Sequence, residues 1–318
     1  MKKIFFFLLC LNIGSNAFAI DSIKRYELNG AIYEYKTPSN FEFAKTLPSN
    51  GWSYLKNSFS FTDDNLKAWG AIILSSALMI HYDQEITDNV QRLGRKLGIG
   101  NNENTVATMK IGSVSLLRRP SDLGSAMYFI GDGWITLGLA GGFLSTGYFT
   151  EDSRTRTVGQ QLLQGILLTG ITTQVIKRAT GRQSPIRADK PGGRWKLLPS
   201  FSEYQKDTSK YDAFPSGHLA TTMTTFMIIS ENYPEYKWIK PTGYTLMSLL
   251  AFQMVNNSVH WAGDYPLAIG IGYMIGKTIV ENGRKKVEDE KSLTDKVTLA
   301  PLFSIDGKMG LQASISFK

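Results

Sequence analysis

Between Lys177 and Asp264 the chain carries three short phrases: Lys177-Arg178-Ala179-Thr180-Gly181-Arg182-Gln183-Ser184-Pro185, Phe214-Pro215-Ser216-Gly217-His218 and His260-Trp261-Ala262-Gly263-Asp264. Two of the protein's three histidines lie in them. Each phrase adjoins a helix-length, weakly polar segment, so the stretch reads as part of a helical domain. Pro215-Ser216-Gly217-His218 precedes the helical run Leu219-Ala220-Thr221-Thr222-Met223. Such a turn opens a helix N-terminus, where free backbone N–H groups and the helix dipole favour an anion. Gly217 lets the backbone come close to a phosphate oxygen, the Ser216 hydroxyl can donate a bond, and His218 can supply a proton near neutral pH. An ordinary serine cap with an incidental histidine is the alternative.

His260 and Asp264 form a second pair, bracketing a turn broken by Gly263. A carboxylate there can bond one imidazole nitrogen and leave the other free to attack. The bland reading is that Asp264 caps the next helix while His260 packs beside Trp261. Lys177 can bind a phosphate oxygen, and Arg178 and Arg182 either do the same or form a basic flank to a helix.

Working outward, five helix-length segments run from about Gly124 to Phe149, Thr157 to Ile176, Gly217 to Ser230, Thr242 to Val259 and Asp264 to Val280. Another, capped by Asp63 or Asp64, runs to Ile80, where His81 follows as a solvent-edge or structural residue. Residues 84–121 read as a charged connection with an amphipathic helix from Ile86 to Leu97. Together these predict an all-α bundle of about six core helices over residues 66–282. Residues 20–65 read as an irregular N-terminal arm with turn signals such as Asn29-Gly30. Residues 283–296 are a charged linker. In the tail, 297–318, Leu311 to Lys318 alternates in period two, Val297 to Ile305 is a second candidate strand and Asp306-Gly307 a turn between them, which predicts a β-hairpin that should dock on something such as the arm.

Met1-Lys2-Lys3, an apolar run from Ile4 to Leu11 and Ala17-Phe18-Ala19 read as a signal peptide, residues 1–19. Cys10, the sole cysteine, would leave with it, so no disulfide or cysteine-based metal site is expected. The formal charge is +8, of which Lys2 and Lys3 supply two. Residues 177–196 hold seven Lys and Arg against Asp189 and account for the remaining excess. Clustered charge of this kind steers an anionic ligand to one place. A phosphorylated small molecule or lipid fits it, with a membrane surface as partner. No nucleic-acid motif is present. The helices read as the core of an exported protein, periplasmic or membrane-associated, with an integral membrane fold as the alternative.

The order and spacing of the three phrases resemble the type 2 phosphatidic acid phosphatase superfamily, which includes bacterial acid phosphatases, lipid phosphate phosphatases and vanadium haloperoxidases. The resemblance implies His260 as a nucleophile forming a phosphohistidine, Asp264 as its orienting group and His218 as the acid for the leaving alcohol. It also implies Lys177, Ser216 and Gly217 as phosphate binders and no cofactor or metal. The family has phosphate-binding arginines where this chain has Ser184 and Met254. Arg182 and Arg187 are the expected replacements. The function expected is hydrolysis of phosphate monoesters or pyrophosphates, with lipid or isoprenoid phosphates as the expected class; the alternative is a non-catalytic phosphate- or phospholipid-binding protein. If the leader is removed as read, N-terminal sequencing of the exported protein begins at Ile20; an uncleaved Met1 would reject the signal peptide.

Overall fold

The computed structural model describes residues 23–111, 114–287, 297–303 and 309–315. The expected signal peptide, the Asp306-Gly307 turn and the larger part of the expected linker lie outside them. The N-terminal arm is more regular than expected. Strands β1 (Ile23–Leu28) and β2 (Ala31–Lys36) pair antiparallel with Tyr26 opposite Tyr33. Asn29 and Gly30 both adopt positive φ between them, the geometry of a tight hairpin turn. Helices α1 (Glu42–Lys45) and α2 (Leu47–Ser58) complete the arm. Its Tyr35 hydroxyl donates to Asn232 Oδ1 at 2.9 Å, and Asn50 donates to Gln164 at 2.7 Å, both buried.

Helix α3 (Asp63–Lys96) corrects the reading of two helices separated near His81. Thr62, not Asp63 or Asp64, caps it by accepting from the Asn65 N–H at 3.3 Å. Residues 81–85 contain no glycine or proline, so nothing local stops the helix. Part of the expected connection is instead a hairpin, β3 (Thr105–Ile111) paired with β4 (Val114–Pro120). The segment expected from Gly124 to Phe149 breaks into α4 (Leu123–Phe129) and α5 (Gly133–Phe149), the second capped by the Asp132 carboxylate on Trp134 N–H at 3.0 Å.

The bundle is completed by α6 (Ser153–Thr180), a short α7 (Phe201–Lys206), α8 (Gly217–Asn232), α9 (Ile239–Asn256) and α10 (Tyr265–Gly283). Helix α8 is the centre. Its Leu219, Met223, Phe226 and Met227 pack with Met247, Leu250 and Met254 of α9 and Ala268 of α10. Its other side places Ile228 with Val158 and Leu162 of α6 and Ile271, Ile275 and Ile279 of α10. Burial of this much aliphatic and thioether surface drives the assembly. At the crossing of α8 and α10 an added Cβ on Gly272 would run into Ala220 O and stand 2.7 Å from Met223 Cβ, so only glycine permits the approach. Thr169 and Thr224 hydroxyls bond across α6 and α8 at 2.8 Å.

After α10, strand β5 (Lys285–Val287) joins β2, giving a sheet ordered β1-β2-β5. The first residues of the expected charged linker are therefore a strand that ties the end of the helical region to the arm. Strands β6 (Val297–Phe303) and β7 (Met309–Ile315) pair as the expected hairpin, Val297 opposite Ile315, in a sheet separate from that of the arm. Among the described residues no helix is long and apolar enough to cross a membrane.

Two substitutions separate close packing from backbone propensity. Gly272→Ala should destabilise the fold by about 1–3 kcal/mol through overpacking. Gly138→Ala, at a helical site with open space around it, should stabilise by up to about 1 kcal/mol. Thermal melts of the two proteins check both signs.

Candidate active site

The three phrases meet where α6 ends, α8 begins and α9 turns into α10. Gly181 closes α6 in the left-handed region, φ 55°, and an added Cβ there would strike Lys196 O. The chain then turns inward. Arg182 bridges to both Trp195 and Asp212, its carbonyl accepting from Ala213 N–H at 3.0 Å. Ser216 caps α8, accepting from Leu219 N–H at 3.3 Å, so Gly217 and His218 occupy the first turn with its excess of backbone donors. Beyond α9, Ser258 takes a positive φ of 58° and a 3₁₀ turn, Ala262–Asp264, delivers Asp264.

His260 and Asp264 are brought together, Nδ1 to Oδ2 at 3.3 Å. Both are buried. The same Asp264 oxygen accepts from the Trp261 amide at 2.8 Å. Asp264 stands at the N-cap position of α10, but its side chain makes no capping bond; the bland capping role is not the one the geometry gives it. The His218 and His260 rings lie 6.1 Å apart, centre to centre, nearly perpendicular. Tyr128 of α4 packs on His218 at 4.9 Å, and Gly131 lies so close that an added Cβ would stand 2.8 Å from His218 Cβ.

Burial, with His260 and Lys177 adding repulsion, pushes the His218 imidazole down to about 3. In the empty site it is therefore neutral near pH 7, and a bound anion is what would restore its proton. Lys177 is buried on α6, its ammonium 3.9 Å from Asp212 and 3.8 Å from where a Gly217 Cβ would stand. Burial lowers its pKa, against the pull of Asp212 and Asp264.

Other expected phosphate binders have their polar groups committed to other partners. Arg182 is fully buried, donating to Asp264 Oδ1 at 2.6 Å and to Asp83 Oδ2, so its guanidinium is spent on carboxylates and not presented to a phosphate. Arg187 is half exposed and pairs with Asp207 at 3.5 Å. The Ser216 hydroxyl is buried and contacts the Met254 sulfur at 3.6 Å. Ser184 donates to Ser209 O at 2.9 Å. Arg178 lies over the Tyr204 ring, and Arg194 and Lys196 pair with Asp189 and Glu203. Of the expected cations, Lys177 is the one set beside His218 and the start of α8. Sequence reasoning missed Tyr128, Asp212 and Asp83. Asp83 sits mid-helix with no local signal; only the third dimension brings it to Arg182.

Residues 160–287 match the family model described as the PAP2 superfamily. No curated protein and no solved structure matches the chain significantly. The match supports phosphatase activity on phosphate esters. Asp83, on α3, lies outside the PAP2 segment although it reaches into its centre.

The depressed His218 sets a proton linkage. Because a bound phosphate favours the charged imidazole, binding should take up a proton, and affinity should fall as pH rises. Calorimetric titration with inorganic phosphate in buffers of different ionisation enthalpy should show an uptake that His218→Gln removes.

Proposed function

We propose that the protein is an exported, metal-independent phosphatase that hydrolyses phosphate monoesters or pyrophosphates through a phosphohistidine at His260. The observation that carries the reading is the pair of facing histidines 6.1 Å apart, one held by a buried carboxylate and the other beside a buried lysine. The Asp264 carboxylate takes the Nδ1–H of His260, leaving Nε2 with its lone pair free. Nε2 attacks phosphorus as the bond to the leaving oxygen breaks, and protonated His218 gives its proton to that oxygen. Water then attacks phosphorus, its proton passing to His218, while the N–P bond breaks, its electron pair returns to Nε2 and inorganic phosphate leaves. Lys177 and the first-turn amides of α8 offset the charge on the phosphoryl oxygens.

Lipid or isoprenoid phosphates are the favoured class. Ile186, Leu197 and Leu198, between α6 and α7, and Phe201 at the start of α7 are more than half exposed. Ile186 N–H bonds Ser258 O at 3.0 Å, two residues from His260, so at least this apolar residue stands near the site. Exposed apolar groups in one place are what an acyl or prenyl chain, or a membrane surface, would cover. The alternative of a binding protein without turnover is favoured by one observation: Ser184 and Met254 leave Lys177 without arginine partners.

Phosphate release from aryl and prenyl phosphates, with and without chelator, separates the two. Wild type should turn over in chelator, and His260→Ala should lose at least about a hundredfold in kcat. Full activity in His260→Ala would reject the phosphohistidine route. Arg187→Ala should remain within about twofold of wild type, as befits a surface ion pair.

A further inference from the structure

Arg182 raises an electrostatic problem that the PAP2 segment does not solve by itself. A nucleophilic imidazole gains from a neighbouring carboxylate because positive charge develops on the ring as it attacks. Here the carboxylate of Asp264 is already bonded by a buried guanidinium at 2.6 Å. Alone, that pairing would cancel the charge His260 depends on. The other end of the guanidinium meets Asp83, which is as fully buried as Arg182 and Asp264. Asp83 Oδ1 accepts from the Gly263 amide at 2.8 Å while Oδ2 accepts from Arg182. Two accepting oxygens are the pattern of an ionised carboxylate. One guanidinium between two carboxylates leaves one net negative charge, that of a lone aspartate.

We infer that Asp83 is a positioning residue for His260: it balances Arg182, so that Asp264 keeps its negative charge toward the imidazole, and it fixes the turn that carries Asp264. The rate consequences rest on His260 being the nucleophile; the charge balance does not. The charged and titratable groups around His260 are Asp264 on its own turn, His218 on α8, Lys177 on α6 with Asp212 beside it, Tyr265 on α10 and, through Arg182, Asp83 on α3. Burial raises the Asp83 carboxyl, while Arg182 and the Gly263 amide oppose that rise.

With only three histidines, the imidazole signals of the labelled full-length protein can be assigned with His81→Gln, His218→Gln and His260→Gln. Asp83→Asn should move the His260 ring signals away from their wild-type positions at fixed pH and lower kcat by about tenfold, with KM little changed. Asp83→Asn combined with Arg182→Gln removes one charge of each sign and should return both toward wild type. His260 signals and kcat unchanged in Asp83→Asn would overturn the inference. So would a double variant as impaired as the single one, since that would mark the loss as structural. If Asp83→Asn fails to fold by circular dichroism, the double variant is compared with Asp264→Asn: equal inactivity overturns the inference and near-wild-type His260 signals support it. Absence of phosphatase activity in wild type would reject the proposed function, and the His260 signals alone would then decide the role of Asp83.

Discussion

Arg182 held between Asp83 and Asp264 is the interaction on which the rest of the site depends. A guanidinium shut away from water is tolerable only when most of its donors are met, and removing one partner of such a buried pair costs about 3–5 kcal/mol. Two carboxylates and the Gly192 carbonyl meet its two terminal nitrogens here, while Nε has no partner among the described residues, and the Trp195 and Trp261 rings lie within 5.6 Å of the cation. Those partners come from α3, from the loop after α6 and from the turn before α10. One side chain therefore fixes three distant parts of the chain against each other. The Trp261 indole adds a 2.7 Å bond to Gln183 O, which ties the same loop to the same turn.

That commitment decides the chemistry left for substrate. The basic stretch looked in sequence like a reservoir of phosphate-binding cations, but Arg182 faces inward, Arg178 lies over the Tyr204 ring, and Arg187, Arg194 and Lys196 are matched by surface carboxylates. Exposed pairs of this kind contribute little to stability and are screened by salt. What remains beside the histidines is one buried lysine and the start of α8. The Ser216 hydroxyl turns to the Met254 thioether, 3.6 Å away. The site is thus less cationic than the loop's composition implied.

The sequence was legible wherever the signal is local. The segments of α6, α8 and α10 follow from helix-length weakly polar runs, and the α8 start from Ser216 with Gly217 behind it. The β6–β7 pairing follows from alternation in β7 and the turn signal before it, and the β1–β2 turn from Asn29-Gly30. The His260–Asp264 contact was legible because four residues separate them around a glycine. The missed continuity of α3 is different. Its polar stretch, His81 to Glu85, reads as an end because a buried aspartate in mid-helix looks like a breaker until its partner is known.

By itself, then, the sequence determined the helices, the capped N-terminus of α8 and the pairing of a histidine with a carboxylate, all set by contacts within a few residues. The tertiary structure alone decided which cations face the substrate, what stands behind Asp264 and how the arm closes on the bundle through β5. Those depend on meetings across about a hundred residues, such as Asp83 with Arg182, and on burial, which fixes whether a charge serves a ligand or another side chain.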